Sequence, residues 1–270
     1  MPSMSALLRP TSVAIVGDTP GAGRGGRIHN QLVRLGYDCP IYPVNPKYDE
    51  VRAIRAYPSV LDIPGPVEFA AVALGAAHAL HTMEECNRKQ VRTVLFIASG
   101  FGEAGPAGKA IQDELRRLAL AHDIAVCGPN CYGITNAHER FAAYSGSLAH
   151  PLRPGSIALL FQNGALTHSV TDPVMARTSG YSYIITTGNE VVTEIADYVD
   201  AIADDPPTRV IACFVEGFKS PERFFAAARQ AIGQGKRLVI LKTGRSELAQ
   251  RAALAHTGSL TGPDDVYDAL

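Results

Sequence analysis

The sequence predicts an α/β protein made of two doubly wound domains in succession. Short apolar runs rich in Val and Ile alternate with longer stretches of helical periodicity, which is the pattern of βαβ units with parallel sheets. The alternation lapses over residues 136–154, where Gly, Ser, Pro and His follow no clear period, and then restarts. With 270 residues, 46% of them hydrophobic, the chain can bury two cores of ordinary size. We therefore expect domains at 1–135 and 155–270, joined by a connection over 136–154.

Five strands and three helices are predicted in the first domain. Its last helix carries apolar residues at i, i+4, i+7 and i+8, a stripe that suits packing on a sheet. These residues are Ile111, Leu115, Leu118 and Ala119. The predicted strands cover 12–16, 39–44, 69–74, 93–98 and 124–127, and the predicted helices cover 25–35, 76–89 and 107–122.

The second domain repeats the alternation and predicts a flavodoxin-like unit. Strands are expected at 156–161, 182–186, 210–215 and 238–241, with helices at 166–178, 191–203 and 221–232. Pro263 and Asp264 suit the start of one more helix, which breaks off after about two turns. The chain is thus expected to be truncated within an element, as a fragment or as one part of an assembly.

Composition and charge exclude several classes of function. The net charge of −1 and a pI of about 6.7 provide no basic field for nucleic acid or anionic lipid. No apolar run reaches membrane-spanning length, and the first residues show no charged region followed by an apolar core, so no signal peptide is expected. Five widely spread cysteines predict neither a disulfide framework nor a metal site, and they indicate a reducing, cytoplasmic location. No metal, nucleic-acid or membrane partner is expected.

A glycine-rich turn follows the first predicted strand. Residues 17–26 read GDTPGAGRGG and lead into a helix, so backbone N–H groups and the positive helix end can face a phosphate. The second strand is followed by Asn45 and Lys47 instead of the acidic residue that binds the ribose of NAD. A lysine there suits an additional phosphate, as on the 3′-phosphoadenosine of coenzyme A. NADP, which also carries an extra phosphate, fits as well.

The segment 255–262 (AHTGSLTG) is the strongest indication of chemistry. Neutral imidazole can act as a nucleophile near pH 7, which makes His256 the candidate catalytic residue. Thr257, Gly258 and Ser259 follow it and offer hydroxyl and backbone donors to an anion.

Three further turns lie at predicted strand ends in the second domain. Gln162-Asn163-Gly164 occupies a strand-to-helix turn, an anion-binding geometry, and Gly188-Asn189 forms a similar turn. Glu216 ends the apolar strand 210–215 at the carboxyl edge of the sheet, where ligands bind. The alternative for Glu216 is capping of the helix that starts near Pro221. His168 is assigned to packing.

Together these elements resemble the α portion of the NDP-forming acyl-CoA synthetases, the superfamily that includes succinyl-CoA synthetase. The resemblance covers almost the whole chain in the family's order, and it implies a Rossmann-like CoA-binding domain followed by a flavodoxin-like ligase-CoA domain. The matching stretches are 12–17, 41–51 (IYPVNPKYDEV), 97–105 (IASGFGEAG), 128–136 (GPNCYGITN), 155–166 (GSIALLFQNGAL), 188–190, 242–247 (KTGRSE) and 255–262.

The resemblance implies a reaction and a role for each site residue. Such enzymes interconvert acyl-CoA, phosphate and ADP with acid, CoA and ATP through an acyl phosphate and a phosphohistidine. By resemblance His256 carries the phosphoryl group and Glu216 holds the other ring nitrogen. ADP and ATP, with Mg, are expected on an ATP-grasp domain or subunit outside this chain, and an oligomer is expected. CoA is assigned to the first domain, at Gly17, Thr19, Gly21, Lys47, Ser99 and Gly100, and phosphate or acyl substrate to the second, at Gln162, Asn163, Gly164, Gly188, Asn189, Thr257, Gly258 and Ser259.

Two departures from the family pattern keep alternatives open. Asp18 stands where the family commonly has alanine, and a carboxylate beside phosphates predicts a looser or altered CoA contact unless it caps the turn. Asn163 replaces a usual serine. The rival functions are a non-catalytic CoA-binding regulatory or scaffold module and an NADP-dependent oxidoreductase. The acyl group cannot be read from the sequence.

Overall fold

The first sheet of the computed structural model has five parallel strands, and the model describes residues 4–148, 152–176 and 180–243. The strand order is β2-β1-β5-β6-β7, so β2 lies on one side of β1 and the later strands are added on its other side. This is a doubly wound arrangement whose ligand crevice opens at the carboxyl ends of the strands. The elements are α1 (Met4–Leu8), β1 (Val13–Val16), α2 (Arg24–Leu35), β2 (Ile41–Val44), the hairpin β3 (Glu50–Val51) and β4 (Ile54–Arg55), β5 (Phe69–Val72), α3 (Ala79–Arg88), β6 (Thr93–Phe96), α4 (Pro106–Ala121) and β7 (Ala125–Cys127).

Alternate residues of the central strand pack on opposite faces of this sheet. Ile15 lies in one core cluster with Ile28 of α2, and Val16 lies in another with Met83 of α3 and Leu115 of α4. All four residues of β1 are buried, as expected for a parallel strand covered by helices on both sides. The helices therefore cover both faces and leave the strand ends open for a site.

The second sheet has six strands in the order β13-β12-β10-β11-β8-β9. Among its four parallel strands, β11 lies on one side of β10, and β12 and β13 lie on the other. This is the flavodoxin-like pattern, with the switch point between β10 and β12. Two antiparallel strands extend the sheet beyond β11. The elements are β8 (Gly133–Asn136), β9 (Phe141–Tyr144), β10 (Pro154–Phe161), α5 (Thr167–Ala176), β11 (Tyr181–Thr186), α6 (Ile195–Ala203), β12 (Val210–Val215), α7 (Pro221–Gly233) and β13 (Arg237–Lys242).

The segment predicted as a connection contains regular structure. Strand β9 lies inside residues 136–154, and β8 begins within the predicted first domain, yet both belong to the second sheet. The four-residue run of β9 is too short to display a period, so the sequence pattern missed it. Thr186 Oγ1 of β11 accepts hydrogen bonds from the N–H groups of Tyr132 and Gly133, at 2.7 and 2.9 Å, and so ties the start of β8 to its neighbour.

A shared core joins the two sheets. The unpredicted helix α1 contacts α6, β6 and β8, and Asn136 Nδ2 donates to Leu8 O at 3.2 Å. Leu7 and Phe69 lie in one core cluster with Ile185 of the second sheet. The predicted fold class, a doubly wound first sheet followed by a flavodoxin-like one, is confirmed. The predicted helix over 264–270 lies outside the described residues.

All five cysteines are free thiols, and four of them are buried. Within the described ranges no helix is long and apolar enough to cross a membrane. The described residues also contain no cluster of His, Cys, Asp and Glu that could hold a metal ion.

Candidate functional site

A cleft of about 360 Å³ opens between the two sheets at the carboxyl ends of their strands. Six of the residues predicted to bind cofactor or substrate line it, five from the predicted substrate site and Ser99 from the predicted CoA site. Those six are Ser99, Gln162, Asn163, Gly164, Gly188 and Asn189. The other lining residues are Arg24, Arg27, Ile97, Asn130, Cys131, Tyr132 and Ser145.

Topology brings Gln162 and Glu216 together. Each residue follows directly on one of two neighbouring parallel strands, β10 and β12, which flank the point where the sheet reverses. Side chains at two such strand ends emerge at the same edge of the sheet. The sequence predicted both positions, and the structure shows them in direct contact.

Glu216 is hydrogen-bonded through one carboxylate oxygen and its backbone N–H, while its second carboxylate oxygen accepts no bond from the described residues. Its Oε1 accepts a hydrogen bond from Asn163 Nδ2 at 3.0 Å, and its backbone N–H donates to Gln162 Oε1 at 2.7 Å. Its Oε2 is buried and has no hydrogen-bond partner among the described residues. A buried carboxylate oxygen without a donor is costly, so this atom is suited to a donor that the described residues do not supply.

The side-chain amide of Gln162 is fully engaged. Besides Glu216 N–H, its Oε1 accepts from Gly217 N–H at 3.1 Å, and its Nε2 donates to Gly217 O at 2.7 Å and to Glu190 Oε2 at 3.2 Å. The predicted contact between Gln162 and phosphate would therefore compete with four existing hydrogen bonds.

The turn after β11 enters the cleft against the first domain. Gly188 has φ of +61°, and a Cβ atom there would lie 2.0 Å from Pro129 O, so only glycine fits. Asn189 Nδ2 donates to Glu103 Oε2 at 2.5 Å and to Gln112 Oε1 at 2.9 Å. The turn that was predicted to line the acyl or phosphate pocket thus also joins the two domains.

Glu190, which the sequence analysis gave no role, is a fully buried carboxyl at this turn. Its Oε1 accepts from Thr187 Oγ1 at 2.8 Å and from Ile195 N–H at 3.0 Å. Burial raises the pKa of Glu190 to about 7, and the lysine charge of Lys219 and the bonds from Thr187 and Gln162 offset this only in part. Lys219 Nζ donates to the carbonyls of Asn189 and Glu190, both at 2.6 Å, and burial lowers the pKa of Lys219.

Stability is expected to fall as the pH rises because of Glu190. Its pKa is raised from 4.5 to about 7 on folding, so the folded state holds the proton more tightly than the unfolded state. The associated stability is present below about pH 4.5 and is lost as the pH rises through 7. Between pH 5 and pH 8, the free energy of unfolding measured in urea should fall by about 2–3 kcal/mol more in the wild type than in Glu190→Gln. Parallel pH profiles for the two proteins would contradict this assignment.

Asp18 turns away from the glycine-rich loop. Its carboxylate is fully buried and lies 2.5 Å from His29 Nδ1, while Oδ1 accepts the N–H of Thr19 at 2.8 Å. Arg52 Nη1 lies 3.6 Å from the same carboxylate. The Asp18 carboxylate is thus bonded to His29 and Thr19 beneath the loop, and whether it alters the CoA contact stays a prediction. The alternative, that Asp18 caps the turn, is confirmed by the bond to Thr19.

Arg52 fixes the glycine-rich loop by donating hydrogen bonds to the carbonyl groups of the loop. Its guanidinium donates to Thr19 O at 2.7 Å and to the carbonyls of Pro20, Gly21 and Gly26, each at 3.3 Å. With these carbonyls bonded, the loop is fixed before any ligand arrives. Arg52 comes from the turn between β3 and β4, far along the chain, and nothing in the sequence pattern indicated it.

The residues predicted to contact CoA surround this loop and its neighbours. Gly17, Thr19 and Gly21 lie in it, directly after β1. Lys47 is exposed after β2, and its N–H donates to Asn45 Oδ1 at 3.0 Å. Gly100 N–H is bonded to Glu103 Oε1 at 2.6 Å, so it is already satisfied within its own turn.

Two arginines that the sequence analysis did not single out line the cleft. Arg24 and Arg27 are exposed in the first turn of α2. Cations at a helix N-terminus are unfavourable with respect to the helix dipole, so their presence there indicates an anionic ligand. The signal was visible in the letters RGGR that close the glycine-rich turn.

The remaining predicted residues divide into two groups. His168 packs against the ring of Tyr132, with centroids 5.5 Å apart, as assigned. His256, Thr257, Gly258 and Ser259 lie outside the described residues.

Comparison with known proteins identifies both halves of the chain. Residues 11–137 match the family described as CoA binding domain, and residues 154–270 match the succinyl-CoA ligase like flavodoxin domain. The chain belongs to the NDP-forming acyl-CoA synthetases. It corresponds to their α-type portion, and the CoA binding domain decides between CoA and NADP for the first half.

Individual relatives agree with this assignment. The α subunit of acetate–CoA ligase [ADP-forming] I from Pyrococcus furiosus is 36% identical over 99% of this chain. A trans-feruloyl-CoA synthase from an unknown prokaryotic organism is 35% identical over 95% of it. The solved structure of the dinucleotide forming acetyl-coenzyme A synthetase 1 from Ca. Korarchaeum cryptofilum, in complex with phosphate and ADP, superimposes with a TM-score of 0.91 at 30% identity over 100% of this chain. This chain spans 58%, 37% and 57% of those proteins, respectively.

Proposed function

We propose that this chain is the α-type portion of an NDP-forming acyl-CoA synthetase. It would interconvert acyl-CoA, phosphate and ADP with a carboxylic acid, CoA and ATP. The observation that carries the proposal is the unsatisfied Oε2 of Glu216, a fixed and buried acceptor at the edge of the second sheet. A histidine that carries a phosphoryl group on one ring nitrogen needs such an acceptor for the N–H on the other.

The proposed reaction has two steps on this chain. A phosphate oxygen attacks the thioester carbonyl of acyl-CoA, and the CoA thiolate leaves, which gives an acyl phosphate. A ring nitrogen of His256 then attacks phosphorus, and the free carboxylate leaves. The ring becomes cationic in that step, and the carboxylate of Glu216 stabilises it and fixes the tautomer. Thr257, Gly258, Ser259, Asn163 and Gly164 supply donors to the phosphoryl oxygens, where catalysis of phosphoryl transfer mainly resides.

The first domain is proposed to hold CoA along the glycine-rich loop. The loop residues Gly17, Thr19 and Gly21 stand at the N-terminal end of α2, and Arg24 and Arg27 add positive charge on the cleft side. Ser99 lines the cleft beyond them, where the pantetheine arm would run towards Asn163 and Asn189. The bound CoA supplies the thiol, and the protein residues orient it.

The assembly is also part of the proposal. An ATP-grasp domain or subunit would bind ADP or ATP with Mg and exchange the phosphoryl group with His256, and the enzyme would be oligomeric. We place the domain division at 1–135 and 155–270, with the strand pair β8–β9 assigned to the second sheet.

Labelling with radioactive phosphate tests the reaction. The complete enzyme is incubated with labelled inorganic phosphate and acetyl-CoA, butyryl-CoA or feruloyl-CoA. We expect acid-labile, base-stable label on this chain that depends on the acyl-CoA. Stabilisation of the protein by CoA without label from any of the three would instead support a non-catalytic CoA-binding module.

Lys47→Ala is expected to weaken CoA more than dephospho-CoA. Its ammonium group is exposed after β2, where it can meet the 3′-phosphate, and removal of one such contact costs about tenfold in affinity. Titration calorimetry with the two ligands measures the difference, and Lys89→Ala, at the C-terminal end of α3, serves as the control. Equal losses for both ligands would exclude the 3′-phosphate contact.

A further inference from the structure

The polar cluster Glu190–Gln162–Glu216 carries an inference that rests on the proposed function. We propose that Gln162 is a positioning residue that fixes Glu216 for its histidine, and that it makes no direct contact with phosphate. Gln162 stands in a glycine-containing turn that looks like a phosphate site, but its hydrogen bonds point to a different role.

The hydrogen-bonding capacity of Gln162 is exhausted. A primary amide offers two N–H donors and a carbonyl oxygen with two lone pairs. The oxygen accepts from Glu216 N–H at 2.7 Å and Gly217 N–H at 3.1 Å, and the nitrogen donates to Gly217 O at 2.7 Å and Glu190 Oε2 at 3.2 Å. The residue is only 7% exposed. Contact with a phosphate would break one of these bonds in a buried place.

These bonds hold the backbone on both sides of Glu216. Gln162 joins the N–H of Glu216 and both polar groups of Gly217, so the Cα of Glu216 cannot shift without breaking them. Asn163 Nδ2 fixes one carboxylate oxygen at 3.0 Å. The two adjacent side chains thus set the backbone and the carboxylate separately, and Oε2 is the atom that remains to accept a donor.

Glu190 and the backbone groups of Glu216 and Gly217 together determine which way the amide of Gln162 faces. The oxygen acceptor faces two backbone N–H groups, and the nitrogen donor faces a carboxyl oxygen and a carbonyl oxygen. The flipped amide would place an oxygen against two oxygens and two N–H groups against two N–H groups. Glu190 is itself fixed by Thr187 and by the N–H of Ile195 at the start of α6. The position of Glu216 is therefore tied to the interior of the second domain.

A double-mutant cycle in the complete enzyme tests the proposal. The rate of histidine phosphorylation and the KM for inorganic phosphate are measured with acetyl-CoA, or with whichever acyl-CoA labels best, for wild type, Gln162→Met, Glu216→Gln and the double variant. Gln162→Met should lower the phosphorylation rate about 10- to 100-fold and leave the KM for phosphate within twofold. In the Glu216→Gln background the same change should cost less than twofold, because residues that act through one another are not additive.

Gln112→Met is the matched control. Gln112 is also an amide at the domain boundary, bonded to Gly102 N–H and to Asn189, but it does not touch Glu216. The fold-losses in phosphorylation rate caused by Gln112→Met and by Glu216→Gln should multiply in the variant that carries both changes. Should Gln162→Met fail to fold, Gln162→Asn, which keeps a buried amide but cannot span both partners, takes its place in the cycle.

The outcomes separate the two proposals. A labelled wild type in which Gln162→Met raises the KM for phosphate tenfold at constant rate, or multiplies fully with Glu216→Gln, would overturn the positioning role alone. A wild type without label would overturn the proposed function, and the positioning role would fall with it.

Discussion

Asp18→Ala is expected to lower the free energy of unfolding by about 1–3 kcal/mol, the range for leaving a buried hydrogen-bonding group without its partner. The carboxylate is fully buried, lies 2.5 Å from His29 Nδ1 and accepts the N–H of Thr19. Its removal leaves a buried imidazole whose Nε2 already has no partner among the described residues. It also frees the glycine-rich loop from below. Urea denaturation followed by circular dichroism measures the loss.

Asp113→Ala provides the matched control for Asp18→Ala. Asp113 forms an exposed i,i+4 pair with Lys109, at 2.7 Å on the surface of α4. Such pairs contribute about 0.3–0.5 kcal/mol. Equal destabilisation by the two changes would contradict the conclusion that the Asp18–His29 pair supports the loop from the core.

His256→Ala is expected to abolish acid-labile phosphorylation and to leave CoA affinity within a few-fold. No other group in the proposed reaction carries the phosphoryl group between the acyl phosphate and the partner domain, so its loss stops the cycle completely. Removal of a catalytic nucleophile typically lowers the rate by several orders of magnitude. Phosphoprotein formation and calorimetric CoA binding are measured on the same preparation.

His81→Ala controls for loss of an imidazole as such. Its side chain is 75% exposed on α3 and lies 3.7 Å from Glu85 one turn away. The His81→Ala variant should be labelled like the wild type. Retained labelling in His256→Ala would refute the assignment of the nucleophile.

The central strands of both sheets were predictable from sequence because they are buried on both faces. Parallel strands covered by helices read as short continuous apolar runs, as in Val13–Val16, whose four residues are all buried and lie within the strand predicted at 12–16. Strands β8 and β9 were not predictable in this way. Each has only four residues, and their place in the second sheet depends on antiparallel pairing with β11, a contact distant in sequence.

The positions of the site residues could be predicted, but their partners could not. The ends of parallel strands meet at one edge of a sheet, so the turns at Gln162, Gly188 and Glu216 were expected near a ligand. The pairs Asp18–His29 and Gln162–Glu190 join residues 11 and 28 positions apart and exist only once the elements have packed. This is why Asp18 was expected beside a phosphate, whereas its buried carboxylate contacts His29 inside the domain.

The proposed mechanism requires that the phosphoryl group reside on His256. The wild-type enzyme, labelled from acyl-CoA and phosphate, would be digested under alkaline conditions and its phosphopeptides sequenced by mass spectrometry. A phosphoramidate on His256, lost on acidification and slower to form in Glu216→Gln, is the predicted result. Stable label on a serine or threonine, or a phosphoryl group on any other histidine, would contradict the account.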